Sequence, residues 1–392
     1  MFNKLTLKDI VVKGKKVMVR EDLNVPIADG KVGDDTRIEA ALPTIKYLLE
    51  QEAAVIVISH LGRPGGERKE EFSLKPVADH LGLLLDVRVS FVPDCIGQEV
   101  KEAAAKLKEG EVLVLENTRF HPGEQMNDPE FSKELASIAD IFVNDAFGTS
   151  HRAHSSNVGV ANLLPTVAGF LLEKEIKYLA NAIDDPERPF TAILGGAKVS
   201  GKIDVIKNLL GKVDSILIGG GMANTFFASQ GYDMGKSLVE GDAIELAKNI
   251  LDKAGPKLVL PVDYVIADRF SDDAKKEIQR VGDVPEDWMV LDIGPETLEV
   301  FKKVIDKSKT IVWNGPMGVF EFPRFSEGTF ELAKMISAVD GLSIVGGGDS
   351  AAAVNQTGLE GKITHISTGG GASLKLLEGA LLPGLEAIKD RD

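Results

Sequence analysis

The chain has almost no cysteine: a single thiol, Cys95, among 392 residues. That excludes an intrachain disulfide, and a lone thiol fits a reducing compartment, so the cytoplasm is the expected location. Long apolar runs are also missing. No stretch approaches the roughly 20 apolar residues that span a bilayer, and the opening Met1-Phe2-Asn3-Lys4-Leu5 lacks a basic segment leading into an apolar one. Neither membrane insertion nor secretion is indicated. Basic charge is in deficit, with 45 Lys and Arg against 60 Asp and Glu and a formal net charge of -15. Such a surface does not displace phosphate counterions, so nucleic-acid binding is not expected. Internal repeats and low-complexity tracts are absent, and the charge run at residues 67–71 reads as a solvated loop. No long exposed apolar stripe calls for a partner subunit, so a monomer is expected.

What is present is material for two cores. The length exceeds one ordinary domain, and 44% hydrophobic with 27% charged residues is the composition of a globular chain. Short β-branched runs recur, each followed by a turn and a helical stretch, which is the rhythm of an α/β protein with parallel sheets. In the first half they are residues 16–19, 55–58, 90–92, 112–115 and 141–143. In the second half they are 192–194, 215–218, 257–260, 310–313, 343–345 and 365–367. Leu172, Ile176, Leu179 and Ile183 repeat at helical spacing before Asp184-Asp185-Pro186 stops the pattern. This segment, 171–185, reads as a helix joining a domain at 1–170 to one at 186–378; an ordinary crossover helix is the alternative.

In open parallel sheets, ligands bind beyond the carboxyl ends of the strands. The first-half strands lead into Arg20-Glu21-Asp22-Leu23-Asn24, Ser59-His60-Leu61-Gly62-Arg63-Pro64, Glu116-Asn117-Thr118-Arg119-Phe120 and Asn144-Asp145-Ala146-Phe147-Gly148, the last running on to His151-Arg152-Ala153-His154. Arg37 stands just before another helical stretch. Five arginines and three histidines thus gather in strand-end loops of an acidic chain. Guanidinium forks suit carboxylate and phosphate oxygens, so the first half is expected to hold a small anion. Arg20 is the exception and reads as a structural partner of Asp22.

The second-half strands lead into glycine: Gly195-Gly196-Ala197-Lys198, Gly219-Gly220-Gly221-Met222, Asn314-Gly315-Pro316, Gly346-Gly347-Gly348-Asp349-Ser350 and Thr368-Gly369-Gly370-Gly371. Glycine lets backbone N–H groups approach phosphate at a helix start, so a nucleotide is expected there. Two familiar motifs are only outlines. Gly196 to Lys202 spells a phosphate loop but continues with Ile203, where a metal-binding hydroxyl is needed. The glycines at 346–348 imitate a dinucleotide fingerprint, yet the next strand ends without an acidic residue for a ribose. Asp349 would repel a bare pyrophosphate but can share a Mg2+ ion with nucleotide phosphates.

With these segments together, the sequence closely resembles phosphoglycerate kinases over essentially its whole length. The resemblance implies two Rossmann-like α/β domains, each a mostly parallel sheet flanked by helices, joined by a helix and hinge. It implies Mg2+-dependent phosphoryl transfer between 1,3-bisphosphoglycerate and ADP, in line and with hinge closure. The implied substrate set is Asp22, Leu23, Asn24, Arg37, His60, Leu61, Gly62, Arg63, Arg119 and Arg152. The implied nucleotide set is Lys198, Lys202, Gly219, Gly220, Gly294, Asn314, Glu321, Gly347, Gly348, Asp349 and Ser350, with Asp349 on the metal and Glu321 on the ribose. It further implies that the C-terminal segment, 379–392, returns to the first domain. Ser150 and Gly201 depart from the family pattern, which has Ala and an acidic residue there.

A carboxylate acceptor is ionised near neutral pH, so no general base is expected. Alignment and charge neutralisation remain, and Arg37 and Lys198 are the candidate catalytic cations. Two rival readings are a nicotinamide-dependent dehydrogenase, opposed by the missing acidic strand end, and a non-catalytic scaffold, opposed by cations in both halves.

Overall fold

The computed structural model of the protein describes residues 3–391, apart from the side chain of Asn181. The chain divides into two compact units. One runs up to Lys177 and takes in the residues from Leu381 onward; the other is Tyr178–Ala380.

The first unit contains β1 (Lys16–Arg20), the short hairpin β2 (Ile27–Ala28) and β3 (Lys31–Val32), β4 (Ala54–Ile58), β5 (Val89–Val92), β6 (Val112–Leu115), β7 (Ile141–Asn144) and β8 (Thr166–Ala168). Six of them form one sheet in the order β5-β6-β4-β1-β7-β8 with every pairing parallel. Both faces are covered. Val17, Val19, Val55, Val57, Val112 and Val114 pack into one core, and Met18, Ile56, Ile58, Leu113, Leu115 and Phe142 into another. Burial on both sides is why these strands are apolar without alternation.

The C-terminal residues are built into this unit. Gly384 donates to the Ser150 carbonyl at 2.9 Å, and its own carbonyl accepts from Asn144 Nδ2 at 2.9 Å. Leu5 N donates to the Lys389 carbonyl, and Arg391 bonds Asp9. Ser150 is buried with its hydroxyl on the Ala146 carbonyl at 3.0 Å, so the extra oxygen is satisfied locally.

The helix Phe170–Asp184 begins in the first unit and ends in the second, with Leu172, Ile176, Leu179 and Ile183 all buried. The second unit then adds β9 (Phe190–Leu194), β10 (Ser215–Ile218), β11 (Leu258–Val259), β12 (Asp263–Ala267), β13 (Lys276–Arg280), β14 (Met289–Ile293), β15 (Thr310–Asn314), β16 (Leu342–Gly346) and β17 (His365–Ile366). Its parallel sheet has the order β11-β10-β9-β15-β16-β17. From β9 the chain moves outward to β10 and β11, then returns to the other side as β15, β16 and β17. The turns after β9 and β15 therefore lie side by side at the point where the strand order reverses.

Three strands fall outside the sequence-derived rhythm and make a separate antiparallel sheet, β13-β12-β14. β13, Lys-Glu-Ile-Gln-Arg, is almost wholly exposed, so it lacks the apolar face that flags a strand. Gly201 sits in a 3-10 turn before the helix Ile203–Leu210 with open space where a Cβ would stand. Nothing in its surroundings requires glycine.

Candidate functional site

In the first unit the carboxyl ends of β1, β4, β6 and β7 converge. Ser59 fastens two of them: its hydroxyl donates to the Glu21 carbonyl and accepts from Leu23 N. Arg20 is buried, with Nε on Ser156 Oγ at 2.8 Å, Nη1 on the Glu21 carbonyl and Nη2 on His60 Nδ1 at 3.1 Å. Its structural role stands, but the partners differ from the expected one, because Asp22 is taken by Arg37. Arginine cannot accept a hydrogen bond, so His60 Nδ1 must, and neutral His60 carries its proton on Nε2.

Arg119 lies in a short turn capped by Asn117, and its Nη1 donates to the Gly62 carbonyl at 2.8 Å while its buried Nε has no partner. Asn24 accepts from Gly62 N at 2.8 Å, which sets the start of that turn. Gly62 has φ +61°, and a Cβ there would run into the Phe72 ring. Leu23 and Leu61 are buried behind the polar residues. Arg152 Nε contacts His151 Nε2 at 3.0 Å, and Arg63 is exposed in the turn after Gly62.

The electrostatics identify what this arrangement lacks internally. Burial, then the repulsion of Arg20 and Arg152, lowers the Arg119 pKa to about 10. Burial, then Arg20, Arg119, Arg37 and His154, pushes His60 well below 6.5. His154 falls to about 4 through burial, then Arg119, Arg20, Arg152 and His151. Glu124 and Asp22 offset the repulsion among the arginines only in part, and both histidines are held neutral. An anion with several oxygens would relieve that repulsion.

In the second unit the glycine turns interlock. Gly195 N donates to the Asn314 carbonyl at 3.0 Å, Gly196 N to Pro316 at 2.8 Å and Gly220 N to Met317 at 3.0 Å. Gly220 has φ +67°, and a Cβ would meet Gly196 N at 2.6 Å. Lys202 Nζ bonds both the carbonyl and Oδ1 of Asn314 at 2.6 Å, while Asn314 Nδ2 reaches the Gly346 carbonyl at 3.0 Å. Burial lowers the Lys202 pKa to about 8, with Asp349 opposing the shift. Ser350 Oγ accepts from Gly315 N at 2.6 Å.

These turns border a cavity of about 500 Å³. Gly196, Gly220, Pro316 and Met317 form one wall, and Phe227, Leu238, Tyr264 and Leu291 supply an apolar one. Its size suits a small organic ligand, and the apolar wall suits a flat ring. Of the expected nucleotide residues, Gly220, Glu321 and Asp349 line it. Lys202, Asn314 and Ser350 brace the turns behind it, and Gly219 packs on Met317. Gly347 and Gly348 open the helix Gly348–Thr357, and Lys198 is exposed next to the lining Ala197. Gly294 stands one residue beyond the lining Ile293, packed on the Asp263 carboxylate. The apolar wall was not legible beforehand: its residues carry neither glycine nor charge, and several belong to the antiparallel strands.

Asp292 also lines the cavity. Its carboxylate is buried, accepts from Ile293 N at 2.9 Å and Gly328 N at 2.8 Å, and fills the space left by Gly318 and Gly328. Burial raises its pKa from 3.8 to about 8, against the pull of those two N–H groups. The folded chain therefore holds this proton over a range in which the unfolded chain has lost it. Stability should fall as pH rises between about 4 and about 8 and level off above. In Asp292→Asn this contribution to the pH slope is expected to vanish, while the amide, which can accept only one of the two N–H groups, lowers stability at acid pH. Urea unfolding followed by tryptophan fluorescence checks it, since Trp288 and Trp313 both lie in this unit; equal pH slopes in both proteins would refute the assignment.

Known proteins give this geometry its context. The phosphoglycerate kinase family model matches residues 7–380. A phosphoglycerate kinase of Moorella thermoacetica is 58% identical over 391 residues, covering 99% of this chain and all of that protein. One from Lactobacillus acidophilus is 56% identical with the same coverage. Among solved structures, phosphoglycerate kinase from Coxiella burnetii superposes with a TM-score of 0.89 at 42% identity, covering 98% of both chains. The Pyrococcus horikoshii enzyme gives 0.87 at 38% identity. On full-length agreement in sequence and fold, this chain belongs to the phosphoglycerate kinase family.

Proposed function

We propose that the chain catalyses reversible transfer of a phosphoryl group between 1,3-bisphosphoglycerate and ADP, giving 3-phosphoglycerate and ATP. The observation that carries this reading furthest is the gathering of Arg20, Arg37, Arg119 and Arg152 around His60 and His154, both held neutral by burial and by those arginines. A ligand bearing both a carboxylate and a phosphate supplies the missing negative charge.

The substrate set is Asp22, Leu23, Asn24, Arg37, His60, Leu61, Gly62, Arg63, Arg119 and Arg152. Arg63, Arg119 and Arg152 offer forks to phosphate oxygens, and His60 offers its Nε2 proton without adding charge. Asp22 holds Arg37 in place, and its guanidinium is assigned to the reacting carboxylate. The nucleotide base and ribose take the cavity of the second unit, with Glu321 toward the ribose hydroxyls, and the phosphates face the glycine turns and Lys202. Arg37 and Lys198 neutralise charge on the transferring group, and no residue need remove a proton.

Asp349 is the candidate Mg2+ residue. Its exposed carboxylate sits in the first turn of Gly348–Thr357 at the cavity wall, and hard oxygen donors suit this ion. When bound with nucleotide, Mg2+ supplies charge neutralisation on the phosphate oxygens.

An acyl phosphate is lost to water unless it is shielded, so in-line transfer with closure about the helix Phe170–Asp184 belongs to the same proposal. Small-angle scattering is expected to show a more compact particle with both substrates, and an unchanged envelope would count against closure. The proposal also includes a monomer working in the cytoplasm, for which the lone thiol is the support; among the described residues no helix is long and apolar enough to cross a membrane. Purified protein with 3-phosphoglycerate and Mg-ATP, coupled to detection of the acyl phosphate, tests the whole reading, and absence of turnover overturns it.

A further inference from the structure

Neither Cys95 nor His121 has a part in that chemistry, yet the fold brings them together with Asp94. Asp94 and Cys95 lie in the turn after β5, and His121 follows the short turn Thr118–Phe120 beyond β6. β5 and β6 are neighbours in the sheet, so the two turns meet at one end of it. One donor atom from each residue lies within 4.8 Å of the other two, the only such grouping of His, Cys, Asp or Glu found among the described residues. His121 Nε2 is 2.7 Å from Asp94 Oδ1. The thiol is buried at 1% exposure, whereas the imidazole and carboxylate side chains are 28% and 46% exposed.

We propose that Asp94, Cys95 and His121 form a binding site for one thiophilic divalent cation, Zn2+ or Cd2+, with a fourth position open to solvent. A thiolate, an imidazole and a carboxylate are the donors such ions take, at about 2.0–2.3 Å, and a thiolate does not suit Mg2+. Binding requires the donors to close in from their present spacing, in which Asp94 Oδ1 also accepts from Cys95 N at 2.7 Å. Burial, then Asp94, Glu124 and Glu116, holds the thiol pKa well above 9.0, so the ion has to displace the thiol proton. On binding, the Cys95 S–H bond breaks, sulfur bonds the metal and one proton passes to solvent.

His121 is two residues beyond Arg119, so the ion would tie the β5 turn to the loop that presents that guanidinium. The site itself does not depend on the proposed reaction.

Full-length protein stripped with chelator and titrated with CdCl2 is expected to bind one equivalent, develop the ultraviolet sulfur-to-cadmium band and release one proton per ion. Cys95 is the only cysteine, so the band reports this residue alone. His121→Asn and Asp94→Asn should each weaken binding at least about tenfold, and Cys95→Ser should abolish the band. Absence of the band under Cd2+ excess overturns the proposal. So does a band whose affinity is unchanged in both His121→Asn and Asp94→Asn, which would mark binding by the thiol alone. Those two variants decide the matter even where Cys95→Ser fails to fold.

Discussion

Arg37→Ala is expected to lower kcat by about a hundred- to a thousandfold and to leave the KM for nucleotide nearly unchanged. The reacting carboxylate arrives already ionised, so the barrier is one of bringing two anions into line. Arg37 is placed for that by the first turn of the helix Thr36–Glu50 and by its ion pair with Asp22. A group that meets charge developing on the transferring phosphoryl should act on turnover rather than on nucleotide affinity. Asp349→Ala should do the reverse, raising the KM for Mg-nucleotide with a smaller loss of kcat. Arg37→Lys separates charge from shape: it keeps the former, loses the fork and should fall between wild type and alanine. Steady-state kinetics of the three proteins decide the point, and equal effects of Arg37→Ala and Asp349→Ala on nucleotide KM would refute the division of labour.

Arg20→Met is expected to destabilise the first unit by about 3–5 kcal/mol. Arg20 Nε bonds Ser156 Oγ, and Ser156 in turn donates its hydroxyl to Glu124 Oε1 at 2.6 Å and its N–H to Oε2 at 2.9 Å. Glu124 is completely buried. Without the guanidinium this carboxylate loses a compensating charge in the interior and keeps only the more distant pull of Arg119. Methionine keeps the length and removes only the charge and its donors. Pairing the change with Glu124→Gln should recover part of the loss, because the second substitution removes the stranded charge. Both tryptophans lie in the second unit, so a far-UV transition that shifts ahead of the fluorescence transition would place the damage where it is expected. A loss below 1 kcal/mol would mean the arginine is held for its ligand and not for the fold.

The parallel sheets were legible in the sequence because strands buried on both faces are spelled in unbroken apolar letters, as at Val55-Ile56-Val57-Ile58. β13 was not, since a strand exposed on nearly all of its length carries no apolar signal. β2, β3 and β8 were too short to register against turn residues. In the candidate site, the cations and glycines stood out because an acidic chain has little other reason to cluster arginine, and because glycine is required where Gly220 and Gly62 adopt positive φ. Which arginine serves structure and which faces outward was only half legible. Arg20 could be set apart, but its partners, Ser156 and His60, are distant in sequence and meet it only through the sheet order. Asp292 stayed hidden for the same reason: its helix-capping contact with Gly328 spans 36 residues.

The return of the last residues to the first unit sets an order of assembly. The second unit lies wholly within Tyr178–Ala380, so it can close without any residue from beyond that span. The first unit, although its strands emerge earlier, lacks the backbone partners of Ser150, Asn144 and Leu5 until residues 384–389 leave the ribosome. The half of the molecule made first therefore cannot finish folding as soon as its own strands are made, and N-terminal-first folding does not apply to it.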